Sequence, residues 1–368
     1  MRLTISNSQV SSPDSRIGLD QATAIYTDME FHELLNMAQA RRRLMVPGNH
    51  VTYLVDRNIN YTNACTINCQ FCSFYRPPDH PEAYTQTVDE ISERISALEE
   101  VGGTRILMQG GVNPDLPLVW YTELISELRS RHPEIAFDCF SPIEIEGIAE
   151  VANKTTAEVL TALKKAGMTG LPGGGAEMLV DNVRLDISPI KGSSERWIGV
   201  MREAQRLDLT TSATNVFGFG ETLRQRIEHL DRIRHLQDEA ISEGRRGFTS
   251  FIAWPVQLEN NSFGRRNRGR NRIEMGAGPI DYLRHLAISR LYLDNISHIQ
   301  ASWPTMGLGI AQIGLSAGAD DIGSTMMEEN VVSASGTTRT SASELELRKM
   351  IESAGFTPVK RDSDYLHL

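Results

Sequence analysis

Three of the four cysteines in this 368-residue chain fall within eight positions, as Cys65, Cys69 and Cys72. Thiolates hold iron–sulfur clusters, and a complete [4Fe–4S] site takes four ligands. A Cys-x3-Cys-x2-Cys run supplies three and leaves one iron of such a cluster open. Cys139, the fourth cysteine, stands far downstream in an apolar run and reads as a small buried hydrophobe. A closed zinc site wants four ligands, usually as two pairs. No second pair exists, and the nearest histidine, His80, lies in a Pro-rich stretch. A two-cysteine redox motif would leave Cys65 unexplained. A disulfide framework would spread its cysteines along the chain.

The elements that must position this loop show an alternation of short apolar runs and longer amphipathic ones. Thr87 and Glu90 have the spacing of a capping box, and Ile91, Ile95 and Leu98 then recur at helical spacing. Gly102-Gly103 ends that helix and strand 104–108 follows. The unit repeats. Helices near 118–131, 156–166, 195–207, 223–243, 280–293 and 308–317 precede strands near 135–140, 168–171, 210–217, 248–254, 298–301 and 320–322. With a strand over 60–64 before the cysteines, this makes about eight strands alternating with helices. The pattern predicts an α/β fold with a parallel sheet, either a (β/α)8 TIM-type barrel or an open doubly wound sheet. Residues 1–50 are expected as an N-terminal helical extension, including a helix over 30–43. The barrel is expected over 51–340, and 341–368 as a C-terminal helix and tail. The loops after the strands are rich in glycine, whose use is close backbone approach to a ligand.

Composition narrows the function classes. The net charge is −10, from 37 basic and 47 acidic residues. That balance argues against a dedicated nucleic-acid binder. Residues 264–272, GRRNRGRNR, carry five arginines and read as a solvated loop. No run of 18 apolar residues predicts a membrane span. The polar N-terminus has no secretory leader pattern, so a cytoplasmic location is expected. His229 and His235 fall on a charged helix and read as surface residues.

The cysteine spacing and its place after the first strand resemble the radical S-adenosylmethionine (SAM) superfamily. The segments VDRNINYTNACTINCQFCSFYR, MQGGVNPDL, FSPIEI, LPGGGAEML, DISPIKGSSERW and GSTMMEENVVSASG carry the likeness further, over roughly residues 50–340. They resemble the menaquinone and deazaflavin radical SAM enzymes, and most of all the dehypoxanthine futalosine cyclase family. Gln109, Ser141, Glu144, Gln257, Asn260 and Asn261 fit the cyclases better than their relatives. Ala253 and Leu258 depart from a pattern that often carries proline at both positions.

The resemblance implies a [4Fe–4S] cluster on Cys65, Cys69 and Cys72 and SAM on its open iron. A 5′-deoxyadenosyl radical then takes hydrogen from C4′ of dehypoxanthine futalosine, and the ribose closes onto the benzoate ring. It also implies an electron donor such as flavodoxin or ferredoxin. Gln109, Gly110 and Gly111 are expected against the methionine part of SAM. Ser141 is expected at SAM or substrate, or as a helix N-cap. Glu177 is expected at the SAM ribose; the Gly run before it lacks the Lys-Ser/Thr of a P-loop. Arg184 is a candidate grip on a substrate carboxylate, or an ion pair. Gln257, Thr325 and Glu328 are expected at the barrel mouth, with Glu328 alternatively a helix cap. Rival readings are aminofutalosine synthase or a deazaflavin-precursor synthase subunit, and, from another class, a zinc- or cluster-binding scaffold.

Overall fold

The computed structural model describes residues 16–368. Ten strands form one sheet: β1 (His50–Leu54), β2 (Asp56–Ile59), β3 (Arg105–Met108), β4 (Ala136–Cys139), β5 (Gly170–Leu171), β6 (Thr210–Phe217), β7 (Phe248–Pro255), β8 (His298–Gln300), β9 (Asp321–Ser324) and β10 (Thr357–Lys360). The order is β10-β1-β9-β8-β7-β6-β5-β4-β3-β2, and every pairing is parallel.

Only Val55 separates β1 from β2, so the two ends of this ladder meet. The Leu54 carbonyl accepts from the Thr325 N–H (3.1 Å), and the Asn58 N–H donates to the Met326 carbonyl (2.9 Å). The Thr325 hydroxyl donates to the Asp56 carbonyl (2.8 Å) and accepts from the Asp56 N–H (3.0 Å). With β1 and β2 as halves of one path and β10 outside, eight strand positions ring the barrel. This is the expected (β/α)8 architecture, not the open sheet.

Helices cover the outside because their apolar faces match the outward residues of the strands. Along β6, Ser212, Thr214 and Val216 face the barrel interior while Ala213 and Phe217 are buried under helices. The same period-two alternation places Ser250, Ile252 and Trp254 of β7 inside and Phe251 and Ala253 outside. Helix Val88–Glu100 opens with the Thr87–Glu90 capping box, and Thr155–Glu158 and Thr222–Gln225 repeat it.

Several elements differ from expectation. The strand before the cysteines lies at 50–59, upstream of 60–64, because the polar run Asp56-Arg57-Asn58 finds long-range partners; Arg105 donates to the Asp56 carboxylate. Helices Leu19–Asp28 and Phe31–Met45 form the N-terminal extension, of which residues 1–15 lie outside the described residues. Beyond helix Glu344–Ser353 the tail adds β10 to the sheet. It then turns under the barrel, where Arg361 binds Asp321 (2.6 and 3.1 Å) and Tyr365 stacks on His298 at 3.9 Å. His229 is buried, contrary to its surface reading. Its Nδ1 accepts from the Leu179 N–H (2.9 Å), and burial holds its pKa down at about 3. His235 is exposed as expected. Among the described residues no helix is long and apolar enough to cross a membrane.

Candidate active site

Small polar side chains leave the barrel hollow. A cavity of about 410 Å³ runs from the cysteine loop down to Arg361 and Tyr365 at the barrel floor. Cys65, Cys69 and Cys72 all line it, half-buried. Their loop is pinned from several sides. Cys65 N–H donates to Arg76 O (2.8 Å), Thr66 N–H to Val112 O (3.1 Å), and Gln70 N–H to Ile187 O (3.0 Å). Phe263 N–H donates to Gln70 O (2.7 Å). The surrounding protein strips water from the thiols. Burial, reinforced by Cys69, pushes the Cys72 thiol up to about 11, and burial raises Cys69 against the opposing charge of Lys191. Ligation by these sulfurs must therefore release protons. Cys139 is buried in the core as expected.

The expected SAM-side residues converge on the same cavity: Gln109, Gly110, Gly111, Ser141 and Glu177 all line it. The two glycines serve the chain's own packing. A Cβ at Gly111 would sit 2.1 Å from Ala64 O and 2.7 Å from Cys65 Cβ; one at Gly110 would sit 2.8 Å from the Tyr61 ring. Gln109 Nε2 donates to Phe140 O (3.0 Å). Ser141 stands at the N-cap position of helix Pro142–Ala152 but does not cap it through its side chain. Its hydroxyl instead donates to Glu144 Oε2 (2.5 Å). Glu144 Oε1 also accepts from Tyr61 Oη (2.8 Å) and Gly110 N–H (2.9 Å). Burial pushes its carboxyl up to about 7 against these three bonds.

Glu177 is buried, with a left-handed φ of 42° that a non-glycine residue rarely adopts. Phe140 (φ 65°) and Met326 (φ 55°) share that conformation at the ends of other strands. Such strain collects at functional sites. Lys191 Nζ donates to Glu177 Oε1 at 2.7 Å. Burial opposes the Lys191 charge, but Cys69 and Glu177 outweigh it and hold the ammonium above its ordinary range.

Three substrate-side candidates stand off the cavity wall, and Arg184 takes its alternative role of an ion pair, with Glu177 (3.7 Å). Arg184 is buried, and its guanidinium donates to the carbonyls of Gly175 (2.9 Å), Ala176 (2.8 Å) and Gly192 (3.1 Å). It shapes the Glu177 turn and does not line the cavity. Thr325 closes the barrel seam, and Glu328 pairs with Arg57 (3.0 Å) and Arg94 (2.8 Å) outside the cavity wall. Neither lines the cavity. Glu329, one residue on, does line it, its carboxylate held by the N–H groups of Val331, Val332 and Ser333. Gln257 lines the mouth as expected and accepts from Arg272 (3.2 Å). Sequence reasoning overlooked Lys191; its signal was a lone lysine in the polar DISPIKG turn downstream of Glu177.

Comparison with known proteins agrees with this geometry. Residues 59–233 match the radical SAM superfamily, and residues 245–368 match the CofH/MqnC C-terminal region. The cyclic dehypoxanthine futalosine synthase of Halalkalibacterium halodurans is 40% identical, covering 95% of this chain and 91% of that protein. The 5-amino-6-(D-ribitylamino)uracil–L-tyrosine 4-hydroxyphenyl transferase of Methanopyrus kandleri is 36% identical, covering 95% and 93%. Among solved structures, methylornithine synthase has the same fold, with a TM-score of 0.74, 15% identity and 96% of each chain covered. The chain therefore belongs to the radical SAM superfamily, in the CofH/MqnC family that includes the cyclic dehypoxanthine futalosine synthases.

Proposed function

We propose that this enzyme cyclises dehypoxanthine futalosine, joining ribose C4′ to the benzoate ring of the same molecule, in the futalosine route to menaquinone. The observation that carries the reading is 40% identity to a cyclic dehypoxanthine futalosine synthase across 95% of the chain. It is supported by one cavity that collects the three cysteines and the loops after most strands.

The residues fit a [4Fe–4S] cluster. The donor set is three thiols on one cavity wall with no fourth beside them. A cluster takes one thiolate per iron, so three thiols suit three of its irons. Bound there, the cluster and SAM supply one-electron cleavage of SAM and the radical that abstracts the C4′ hydrogen.

The chain's own residues bind, orient and shield. Cys65, Cys69 and Cys72 hold the cluster. Gln109, Gly110 and Gly111 flank the methionine part of SAM, Ser141 meets SAM or substrate, and Glu177 accepts from the SAM ribose. Ile252, Trp254, Pro255 and Val256 give the cavity an apolar flank that keeps water from a reactive radical. Gln257 meets the substrate at the mouth. The C4′ hydrogen atom passes to the 5′-deoxyadenosyl group, and rearomatisation after ring closure gives one proton to solvent and one electron to a one-electron acceptor such as the oxidised flavodoxin or ferredoxin, so the product has two hydrogens fewer than the substrate. A cytoplasmic flavodoxin or ferredoxin supplies the initiating electron.

The test is anaerobic incubation of the reconstituted enzyme with SAM, dithionite and dehypoxanthine futalosine. Free 5′-deoxyadenosine with a cyclised product two hydrogens lighter is expected. An adenosyl adduct, or turnover only with tyrosine and a ribitylaminouracil, would overturn the cyclase reading in favour of the related activities.

A further inference from the structure

The proposed function needs an electron delivered to a cluster inside the barrel mouth, and one surface beside the cysteine loop is built differently from the rest of this acidic chain. Residues 264–272 carry five arginines and no acid, in a protein of net charge −10. The fold brings this segment against the cluster loop. Phe263 N–H donates to the carbonyl of Gln70, the residue after Cys69 (2.7 Å). Phe71, between Cys69 and Cys72, packs on Phe219 (ring centroids 5.3 Å), which packs on Phe263 (5.3 Å). Ile187, Val256 and Met275 complete this apolar footing. Ser73, next to Cys72, donates to Glu259 O (3.0 Å).

Two of the five arginines above that footing are taken up by the fold. Arg266 pairs with Asp186 (2.6 Å), and Arg272 turns inward to Gln257 and Thr305 O. Arg265, Arg268 and Arg270 are exposed and in no ion pair among the described residues; Arg265 donates to Ser262 Oγ (2.7 Å) and Arg270 to Glu274 O (3.0 Å). The exposed acids flanking the run are Glu259 and Glu274, so the face keeps a positive excess. Exposed charges of one sign set up a potential that draws a partner of the opposite charge.

We infer that the exposed arginine face of residues 264–272 is the docking surface for a small acidic protein that carries a one-electron centre. The step is a transfer of one electron: the donor's reduced centre loses it and the cluster gains it, with no bond made or broken in either protein. Charge complementarity steers the encounter and makes it sensitive to salt. The apolar footing places the docked centre on the side of the loop that carries Phe71.

The inference rests on the proposed cluster chemistry, and two reductants separate the two. The probe is an acidic flavodoxin reduced to its hydroquinone, compared with dithionite, on wild-type holoenzyme and on R265E/R268E/R270E. The readout is 5′-deoxyadenosine formation. With flavodoxin the triple variant should need at least about tenfold more donor for half-maximal rate, and the wild-type salt dependence should be lost. With dithionite the two proteins should have equal rates, and equal iron content shows that the variant is intact. Equal flavodoxin dependence in variant and wild type would overturn the docking face. So would loss of the dithionite rate in parallel with the flavodoxin rate, or tighter binding of the segment to RNA than to flavodoxin. Failure of wild type with both reductants would refute the cluster reading itself.

Discussion

Replacing Gly111 with alanine should cost the enzyme its cluster while leaving the barrel folded. The new Cβ would lie 2.1 Å from Ala64 O, 2.7 Å from Ala64 C and 2.7 Å from Cys65 Cβ. These are backbone atoms and the root of a ligand, not the far end of a flexible side chain. Restoring ordinary contact requires a retreat of about 1.3 Å. That retreat would break the Gly111 N–H to Thr62 O bond (3.1 Å) and strain Thr66 N–H to Val112 O (3.1 Å). Two such bonds at ~1 kcal/mol each, plus overpacking of ~1–3 kcal/mol, give a loss of about 3–5 kcal/mol. The displacement falls on Cys65. The assay is denaturant unfolding of the apo-protein together with iron and sulfide per chain after anaerobic reconstitution. Gly199→Ala is the control: its Cβ would meet nothing within 4 Å in helix Ser194–Arg206, so it should be neutral or gain up to about 1 kcal/mol. A Gly111→Ala protein with wild-type stability and full iron would refute the reasoning.

Other outcomes follow from the same geometry. Cys65→Ala, Cys69→Ala and Cys72→Ala should each abolish SAM cleavage; a retained rate in all three would contradict the cluster assignment. Lys191→Met removes the 2.7 Å partner of the buried Glu177 carboxylate but leaves Arg184 at 3.7 Å, and should destabilise the apo-protein by about 1–3 kcal/mol in urea. Glu144 titrates near 7 when folded against an ordinary value of 4.5, so the folded state holds the extra proton between those limits. Its contribution to stability therefore falls as pH rises from about 4.5 through 7, by about 3 kcal/mol in all. Glu144→Gln should flatten that part of the pH–stability curve, and an unchanged slope would show that the carboxyl is not responsible.

What the sequence disclosed depended on whether local residues or distant partners set the outcome. β6 and helix Leu118–Arg131 fall where expected because their patterns are complete within themselves. Thr87 and Glu90 fix a helix start by their own hydrogen bonds. The seam at Val55 was illegible, because Asp56 and Asn58 become strand residues only through Arg105, Thr325 and Met326, far away in the chain. β10 is four residues with a proline at the sheet edge and carries no period. His229 resembled a surface residue in a charged helix, yet it lies on the stripe with Arg226, Ile233 and Leu236 that faces the barrel. The cysteines stood out by their spacing, whereas Gln109 and Glu177 were singled out with the help of family resemblance and the glycine run; all five line the cavity. Thr325 and Glu328 stand apart from the cavity because residues after β9 diverge within a few positions: the seam takes Thr325, an ion pair takes Glu328, and the cavity takes Glu329.

Dehypoxanthine futalosine carrying deuterium at ribose C4′ tests the central claim most directly. Incubated anaerobically with the reconstituted enzyme, SAM and dithionite, it should yield 5′-deoxyadenosine bearing one deuterium, in step with a cyclised product that has lost it. Unlabelled 5′-deoxyadenosine beside unreacted substrate, or a product joined to the adenosyl group, would contradict the account.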